Sequence, residues 1–336
     1  MHLSENASAL LSESGWLEGL VREHHVQGCG IAVIREGSLI LHRTCGIQSE
    51  NGEMVEEDTL FECASLTKTL FAALALKLMQ QGLFSLDEPV VAQGGPVWSD
   101  DPGFSRITPR HCLTHSSGLP NWDDTPLPLL FNPGERFSYS GEGFFLLQRM
   151  IEARTGMTLD ALMEQHFFHP LSMHPAFVCW TPWIGAHFSK GFDREGRVCK
   201  IRDRRRTSGH APEPNAAWSL YATAASYAAF LCAMLKGDAG ICHEMMEEMF
   251  SPQIQAGYGI AWGLGFGLSE EKPDLFWHWG DNAGFESLMV CDRKTGDGIV
   301  VLTNTDEGLM LCEDLVNHLT DLDAEKLLHA FITGAE

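Results

Sequence analysis

The sequence predicts a mixed α/β fold. One antiparallel sheet is assembled from both ends of the chain, and a mostly helical domain is inserted between them. Three observations lead there. β-Rich runs bounded by turn residues occur near the start, around Arg35-Glu36-Gly37, and return late in the chain after Ile260. The middle is carried by apolar-rich stretches of helical length that stop at glycines. No internal repeat or low-complexity linker divides the 336 residues into independent units.

Taken in order, Ser8 to His25 reads as an opening amphipathic helix. Cys29 to Ile34 and Ser38 to Thr44 form a hairpin around its turn. Thr69 to Gln81 is apolar enough to be a buried helix and is closed by Gly82. Ser85 to Asp124 is rich in Pro, Gly and Asp, with a short helix over Pro109 to Leu113. Phe144 to Thr155 is a helix stopped by Gly156, and Thr158 to His166 is another, capped by Thr158. His187 to Val198 holds a glycine-marked turn, and Ile201 to Arg206 is a basic cluster that reads as a surface turn with local ion pairs, with an anion-binding role as the alternative. Ser219 to Leu235 is a helix ending at Gly237. Ile260 to Leu268, Leu275 to Trp279, Phe285 to Cys291 and Gly298 to Thr303 read as successive antiparallel strands. Helices over Glu307 to Leu319 and Asp323 to Ile332 finish the chain.

Composition narrows the function. The formal net charge of −22 argues against nucleic acid and anionic membrane surfaces, which attract basic faces. No stretch has the apolar length of a transmembrane helix. The N-terminus lacks a basic start followed by an apolar core, so no signal peptide is expected. The 10 cysteines are scattered, with no Cys-x-x-Cys pair, and read as reduced thiols of a cytoplasmic protein. His166, His169 and His174 do not hold one helical face around Pro170, so no metal site is expected.

One stretch carries chemistry, Cys63-Ala64-Ser65-Leu66-Thr67-Lys68. A serine at the first turn of a buried helix sits in the positive end of the helix dipole. Three residues on, Lys68 shares its helical face. Serine is a poor nucleophile unless a neighbouring base takes its proton, and a desolvated lysine can do that. The pattern alone is weak. A second copy, Ser269-Glu270-Glu271-Lys272, lies in a charged stretch ending at Pro273 and reads as a solvated loop.

Two further motifs follow in order, Tyr139-Ser140-Gly141 and His278-Trp279-Gly280. The order Ser-x-x-Lys, Tyr-Ser-x, His-x-Gly resembles the serine β-lactamase and penicillin-binding protein superfamily. Its class C-like branch, with the family VIII carboxylesterases, D-alanyl-D-alanine carboxypeptidases and class C β-lactamases, is the nearest. Thr108 to Leu119, Asn132-Pro133-Gly134, Ile151 to Met157, Pro170-Leu171-Ser172-Met173 and Tyr221-Ala222-Thr223 support the likeness, which spans Gly28 to Asn304.

The resemblance implies a β-lactamase-type fold with helices on both sides of the sheet. Residues 1–68 and 216–336 would form the sheet domain and residues 69–215 the helical insert, with the site in the cleft between them. It implies Ser65 as the acylated nucleophile, Lys68 as its base or proton partner, and Tyr139 as the proton shuttle to the leaving group and later to water. A phenol beside Lys68 is expected to have a lowered pKa. The oxyanion hole would be the backbone N–H groups of Ser65 and Asp281, with His278, Gly280, Asp281 and Gly141 against the substrate. His115, in its serine-rich turn, is read as structural and not as a triad base. No cofactor is implied.

Two departures point to the substrate. Gly141 stands where relatives of this type carry an asparagine whose amide contacts the substrate's amide side chain. His278 stands where they carry lysine, and a mostly neutral imidazole attracts a carboxylate less. The expected function is therefore hydrolysis of short or medium acyl esters by a carboxylesterase. A D-amino-acid peptidase or amidase, a weak β-lactamase and an acyltransferase use the same residues, and a non-catalytic binding or assembly protein is the reading from another class. Replacing Gly141 with Asn and His278 with Lys is expected to move activity towards β-lactams. The expected partner is a small ester or amide; nothing in the sequence sets an oligomeric state.

Overall fold

The computed structural model describes residues 1–13, 15–199, 214–325 and 327. The basic cluster at Ile201 to Arg206 and most of the helix expected over Asp323 to Ile332 lie outside the described residues.

The first hairpin is β1 (Gly28–Arg35) and β2 (Ser38–Gly46). Its turn places Glu36 at φ +49° and Gly37 at φ +70°, the left-handed pair whose twist matches the flanking strands. Three short strands, β3 (Phe61–Glu62), β4 (Ala176–Phe177) and β5 (Tyr221–Ala222), form a small separate sheet in the order β3-β5-β4. The remaining strands are β6 (Ile254–Gly257), β7 (Ile260–Trp262), β8 (Gly267–Ser269), β9 (Leu275–Asn282), β10 (Phe285–Asp292) and β11 (Gly298–Thr303). They join the first hairpin in one eight-stranded antiparallel sheet, ordered β2-β1-β11-β10-β9-β8-β7-β6. The β1–β11 pairing, Cys29 opposite Thr303 through Ile34 opposite Gly298, brings the two ends of the chain together.

The stretch expected as one strand over Ile260 to Leu268 is a hairpin instead. Gly265 takes φ +88°, and the Gly263 N–H donates to the Phe266 carbonyl, folding the run back on itself. A run of buried apolar residues hides such a turn, because neither arm shows a polar break.

The helices are α1 (Ala7–Ser12), α2 (Trp16–Glu23), α3 (Thr67–Met79), α4 (Pro109–Leu113), α5 (Gly141–Thr155), α6 (Leu159–Met163), α7 (Pro182–His187), α8 (Ala224–Lys236), α9 (His243–Met249) and α10 (Gly308–Leu319). The opening helix is split where Gly15 takes φ +91° as the N-cap of α2. The helix expected from Ser219 starts later. Tyr221 and Ala222 pair with Phe61 and Glu62 as a strand, and Thr223 then caps α8 by accepting the Ser226 N–H at 3.0 Å. Beyond α6 the chain widens into a π-helical segment over Glu164–Phe168, so the stretch expected as one helix is two kinds of turn.

Strand alternation sorts the core. On β1, Cys29, Ile31 and Val33 face one core and Ala32 and Ile34 the other; on β11, Ile299 and Val301 oppose Val300 and Leu302. The first face is covered by α1, α2 and α10, the second by α3, α5 and α8. Leu, Ala, Lys and Met favour helix in α3, and it is apolar nearly all round, which suits a helix enclosed on every side. Fully burying each large apolar side chain contributes roughly 1.5–3 kcal/mol. Gly82, at φ +78°, ends the turn after α3.

Candidate active site

Ser65 lies in the turn between β3 and α3. The turn is tied down from several directions. Ala64 takes φ +48°, a conformation costly for a residue with a Cβ. The Thr67 hydroxyl donates to the Ala64 carbonyl at 2.6 Å and accepts the Leu220 N–H at 2.9 Å. The Cys63 N–H reaches the Leu220 carbonyl at 2.8 Å. These bonds hold the strained residue beside the serine, and the Ser65 N–H has no partner among the described residues.

Lys68 has no exposed surface. Its Nζ lies 3.0 Å from Ser65 Oγ and donates to the Ala217 carbonyl at 2.8 Å. It also lies 4.7 Å from the centre of the Tyr139 ring and 5.7 Å from that of Phe144. Without such partners a buried lysine would cost several kcal/mol. A neutral amine at 3.0 Å is within reach of a hydroxyl proton.

Tyr139 is gripped by His115. The His115 carbonyl accepts the Ser138 N–H at 2.7 Å, and His115 Nδ1 accepts the Ser140 N–H at 3.0 Å, so both neighbours of Tyr139 are bound by one residue. The imidazole stacks on the phenol ring at 4.1 Å. Because Nδ1 is an acceptor, the proton belongs on Nε2. That buried donor has no hydrogen-bond partner among the described residues. Burial first, and then Lys68 and His278, push the His115 pKa well down, so the ring is neutral. Among the described hydrogen bonds His115 holds Ser138 and Ser140 on either side of the tyrosine, and none joins it to Ser65.

The expectation of a lowered Tyr139 pKa is corrected. Burial pushes the phenol up, and Asp281 adds to it; only the neighbouring Ser65 acts in the other direction. Lys68 Nζ lies 4.7 Å from the centre of the ring and makes no hydrogen bond to its oxygen. The hydroxyl is buried and makes no hydrogen bond of ordinary geometry, although it lies close enough to Ser65 for the serine to offset part of the burial. The resting group is a neutral phenol.

The period of β9 brings Phe276, His278 and Gly280 to the side of α3. Gly280 is there because the strand abuts the turn that carries Ser65. A Cβ on it would meet the Cys63 carbonyl at 2.6 Å and the Ala64 Cβ at 3.0 Å. Asp281, next along the strand, pairs with Glu286 of β10 and is exposed. His278 is fully buried and donates from Nδ1 to the Trp279 carbonyl at 2.6 Å. Burial, then Lys68, push its pKa down to about 3, so it is neutral as the sequence implied. Its Nε2 is therefore a lone-pair acceptor, buried and without a hydrogen-bond partner among the described residues.

Gly141 is the N-terminal residue of α5, whose N-cap Ser140 accepts the Gly143 N–H at 2.9 Å. A Cβ at Gly141 would come within 2.5 Å of the Trp122 ring and 2.9 Å of the Asn121 carbonyl. The expected gain from Gly141→Asn therefore fails on space. Sequence reasoning missed Trp122, the Ala217 carbonyl, the grip of His115, and the aromatic wall of Trp262 and Trp279, whose rings lie 6.3 and 5.2 Å from Tyr139. A lone tryptophan in the polar run Asn121-Trp122-Asp123-Asp124 was the one available signal. Among the described residues no group of three His, Cys, Asp or Glu is placed to hold a metal ion, and no helix is long and apolar enough to cross a membrane.

A large antiparallel sheet, helices on both faces and a buried Ser–Lys turn between them define the β-lactamase and penicillin-binding protein class of folds. The chain belongs to the β-lactamase family, whose model matches residues 14–317. It is 26% identical to the esterase EstB of Burkholderia gladioli over 85% of this chain and 88% of that protein. It is 25% identical to penicillin-binding protein 4* of Bacillus subtilis over 86% of this chain and 70% of that one. A 142-residue stretch is 29% identical to an uncharacterised protein of Alkalihalophilus pseudofirmus; it covers 42% of this chain and spans only 41% of that protein's length. Among solved structures, the octameric penicillin-binding protein homologue from Pyrococcus abyssi superposes with a TM-score of 0.75 at 22% identity, covering 91% of this chain and 79% of that one. The protein is thus a hydrolase of the β-lactamase family.

Proposed function

We propose that the protein is a carboxylesterase that forms an acyl-enzyme on Ser65. The observation that carries this is the 3.0 Å contact between Lys68 Nζ and Ser65 Oγ in a site where the lysine is fully buried. Ser65 Oγ attacks the ester carbonyl carbon while its proton passes to Lys68. The carbonyl oxygen becomes an oxyanion, met by the N–H groups of Ser65 and Asp281. As the C–O bond breaks, the neutral Tyr139 phenol gives its proton to the departing alkoxide and regains one from Lys68. Water then attacks the acyl-enzyme and the same proton path runs in reverse.

The preference for esters over amides and β-lactams is supported by His278. Its ring is buried and neutral, so it supplies no positive charge to draw a substrate carboxylate. Gly141 offers no amide to an acylamido group, which would lose about 1–3 kcal/mol for each polar atom buried unpaired. The similarity to an esterase over most of both chains favours the same reading. A cytoplasmic setting fits ten unpaired thiols. The test is a comparison of kcat/KM for p-nitrophenyl butyrate and nitrocefin. The ester is expected to be the better substrate; a higher kcat/KM for nitrocefin overturns the ester assignment in favour of a β-lactam or peptide amide.

A further inference from the structure

The site holds an aromatic surface that the proton path does not use. Ser140 is extended, at φ −139° and ψ 114°, so Tyr139 and Gly141 project to the same side of the chain. Tyr139 faces Ser65, so the space beyond the Gly141 Cα also faces the cleft. That space is filled by the Trp122 ring, whose Cζ2 and Cη2 lie 2.5 Å from where a Cβ would be. The ring is held in place from its neighbour. Asn121 accepts the Gly141 N–H with both its side-chain oxygen, at 2.9 Å, and its carbonyl, at 3.1 Å, and that carbonyl also accepts the Glu142 N–H at 3.2 Å. The loop is thereby fixed to the first turn of α5, yet Trp122 remains 46% exposed. A large apolar ring anchored through its neighbour and left open to solvent offers a face to a ligand.

We propose that Trp122 is a specificity-determining residue, a platform on which the acyl group of an aryl ester, of the benzoate or phenylacetate type, stacks beside Ser65. This rests on the acyl-transfer reading of the site. It replaces a hydrogen-bonding contact to an acylamido side chain with a stacking contact that needs no polar partner. Offset or edge-on aromatic pairs contribute beyond simple burial, enough to discriminate by roughly three- to tenfold.

Boronic acids test this without any need for turnover. The serine oxygen donates an electron pair to boron, the O–B bond forms, and the serine proton passes to Lys68. Phenylboronic and methylboronic acid would each be titrated against labelling by a fluorophosphonate probe in the wild type, Trp122→Ala and Trp122→Phe. The expected result is a phenyl-to-methyl affinity ratio that falls roughly three- to tenfold in Trp122→Ala and is largely kept in Trp122→Phe. The same ratio in wild type and Trp122→Ala overturns the proposal, and so does failure of both boronic acids to compete in the wild type. If nitrocefin proves the better substrate while the boronic ratio falls as expected, the ester reading fails and the platform stands.

Discussion

The chain contains the same four-residue spacing twice, and the two copies have opposite fates. Ser65 and Lys68 open a buried helix, and the lysine amine, with no exposed surface, touches the serine oxygen at 3.0 Å. Ser269 ends β8, and its oxygen accepts the backbone N–H of Lys272 at 3.1 Å, which closes a turn. Glu270 and Glu271 between them are exposed, and the Lys272 side chain is only partly covered. The difference teaches that the motif is not the letters. It is the helix that aligns the two side chains and the burial that strips water from the amine.

The largest effects should separate the copies outright. Ser65→Ala is expected to lower kcat by about 10⁴-fold or more, the scale on which a nucleophile is lost, while Ser269→Ala leaves turnover unchanged. Steady-state kinetics on p-nitrophenyl butyrate reads both. A large loss in Ser269→Ala with its fold intact would break the comparison.

The next effects sharpen it. Lys68→Ala and Tyr139→Phe are each expected to slow turnover by at least about a hundredfold. Lys272→Ala should leave both rate and stability within about 0.5 kcal/mol of wild type. Tyr139→Phe carries an added signature. It removes a buried hydroxyl that makes no hydrogen bond of ordinary geometry, so Tm should hold or rise as activity falls. Retained activity in Tyr139→Phe would reduce the tyrosine to packing.

The smallest effect concerns pH. His115 and His278 surround the first copy with imidazoles that burial keeps neutral. As pH falls below about 6.5 the unfolded chain protonates both rings. The folded chain does not protonate His278 until about pH 3. More protons are then bound in the unfolded state, so stability must decrease as pH falls through this window. Glu286, pushed up to about 8 by burial, acts in the opposite direction, and stability is lost as pH rises from its unfolded value through 8. Urea unfolding between pH 7 and 4 should show a shallower decline in His278→Gln than in wild type. An unchanged slope would show that His278 protonates as readily in the folded protein as in the unfolded one.

Much of this was legible in the sequence because it is local. The spacing of Ser65 and Lys68, the apolar run behind them, the Thr108 and Thr223 caps and the β1–β2 turn are set by residues within a few positions of each other. What escaped depends on folding distant segments together. Lys68 meets the Ala217 carbonyl 149 positions away, and His115 meets the residues flanking Tyr139 across 25. Gly141 was recognised as a missing side chain, but its filler sits 19 positions upstream in a loop. The Tyr139 error has one physical cause. A sequence shows a neighbouring cation, but not that the cation makes no hydrogen bond to the phenol oxygen while that oxygen is sealed from water.

The central claim is that Ser65 alone of the two motif serines is activated. A fluorophosphonate probe, followed by peptide mapping of the intact labelled protein by mass spectrometry, tests it most directly. The account predicts a single adduct on the peptide bearing Ser65, lost in Ser65→Ala and kept in Ser269→Ala. A stable adduct on Ser269 or any other serine, with Ser65 unmodified, would contradict it.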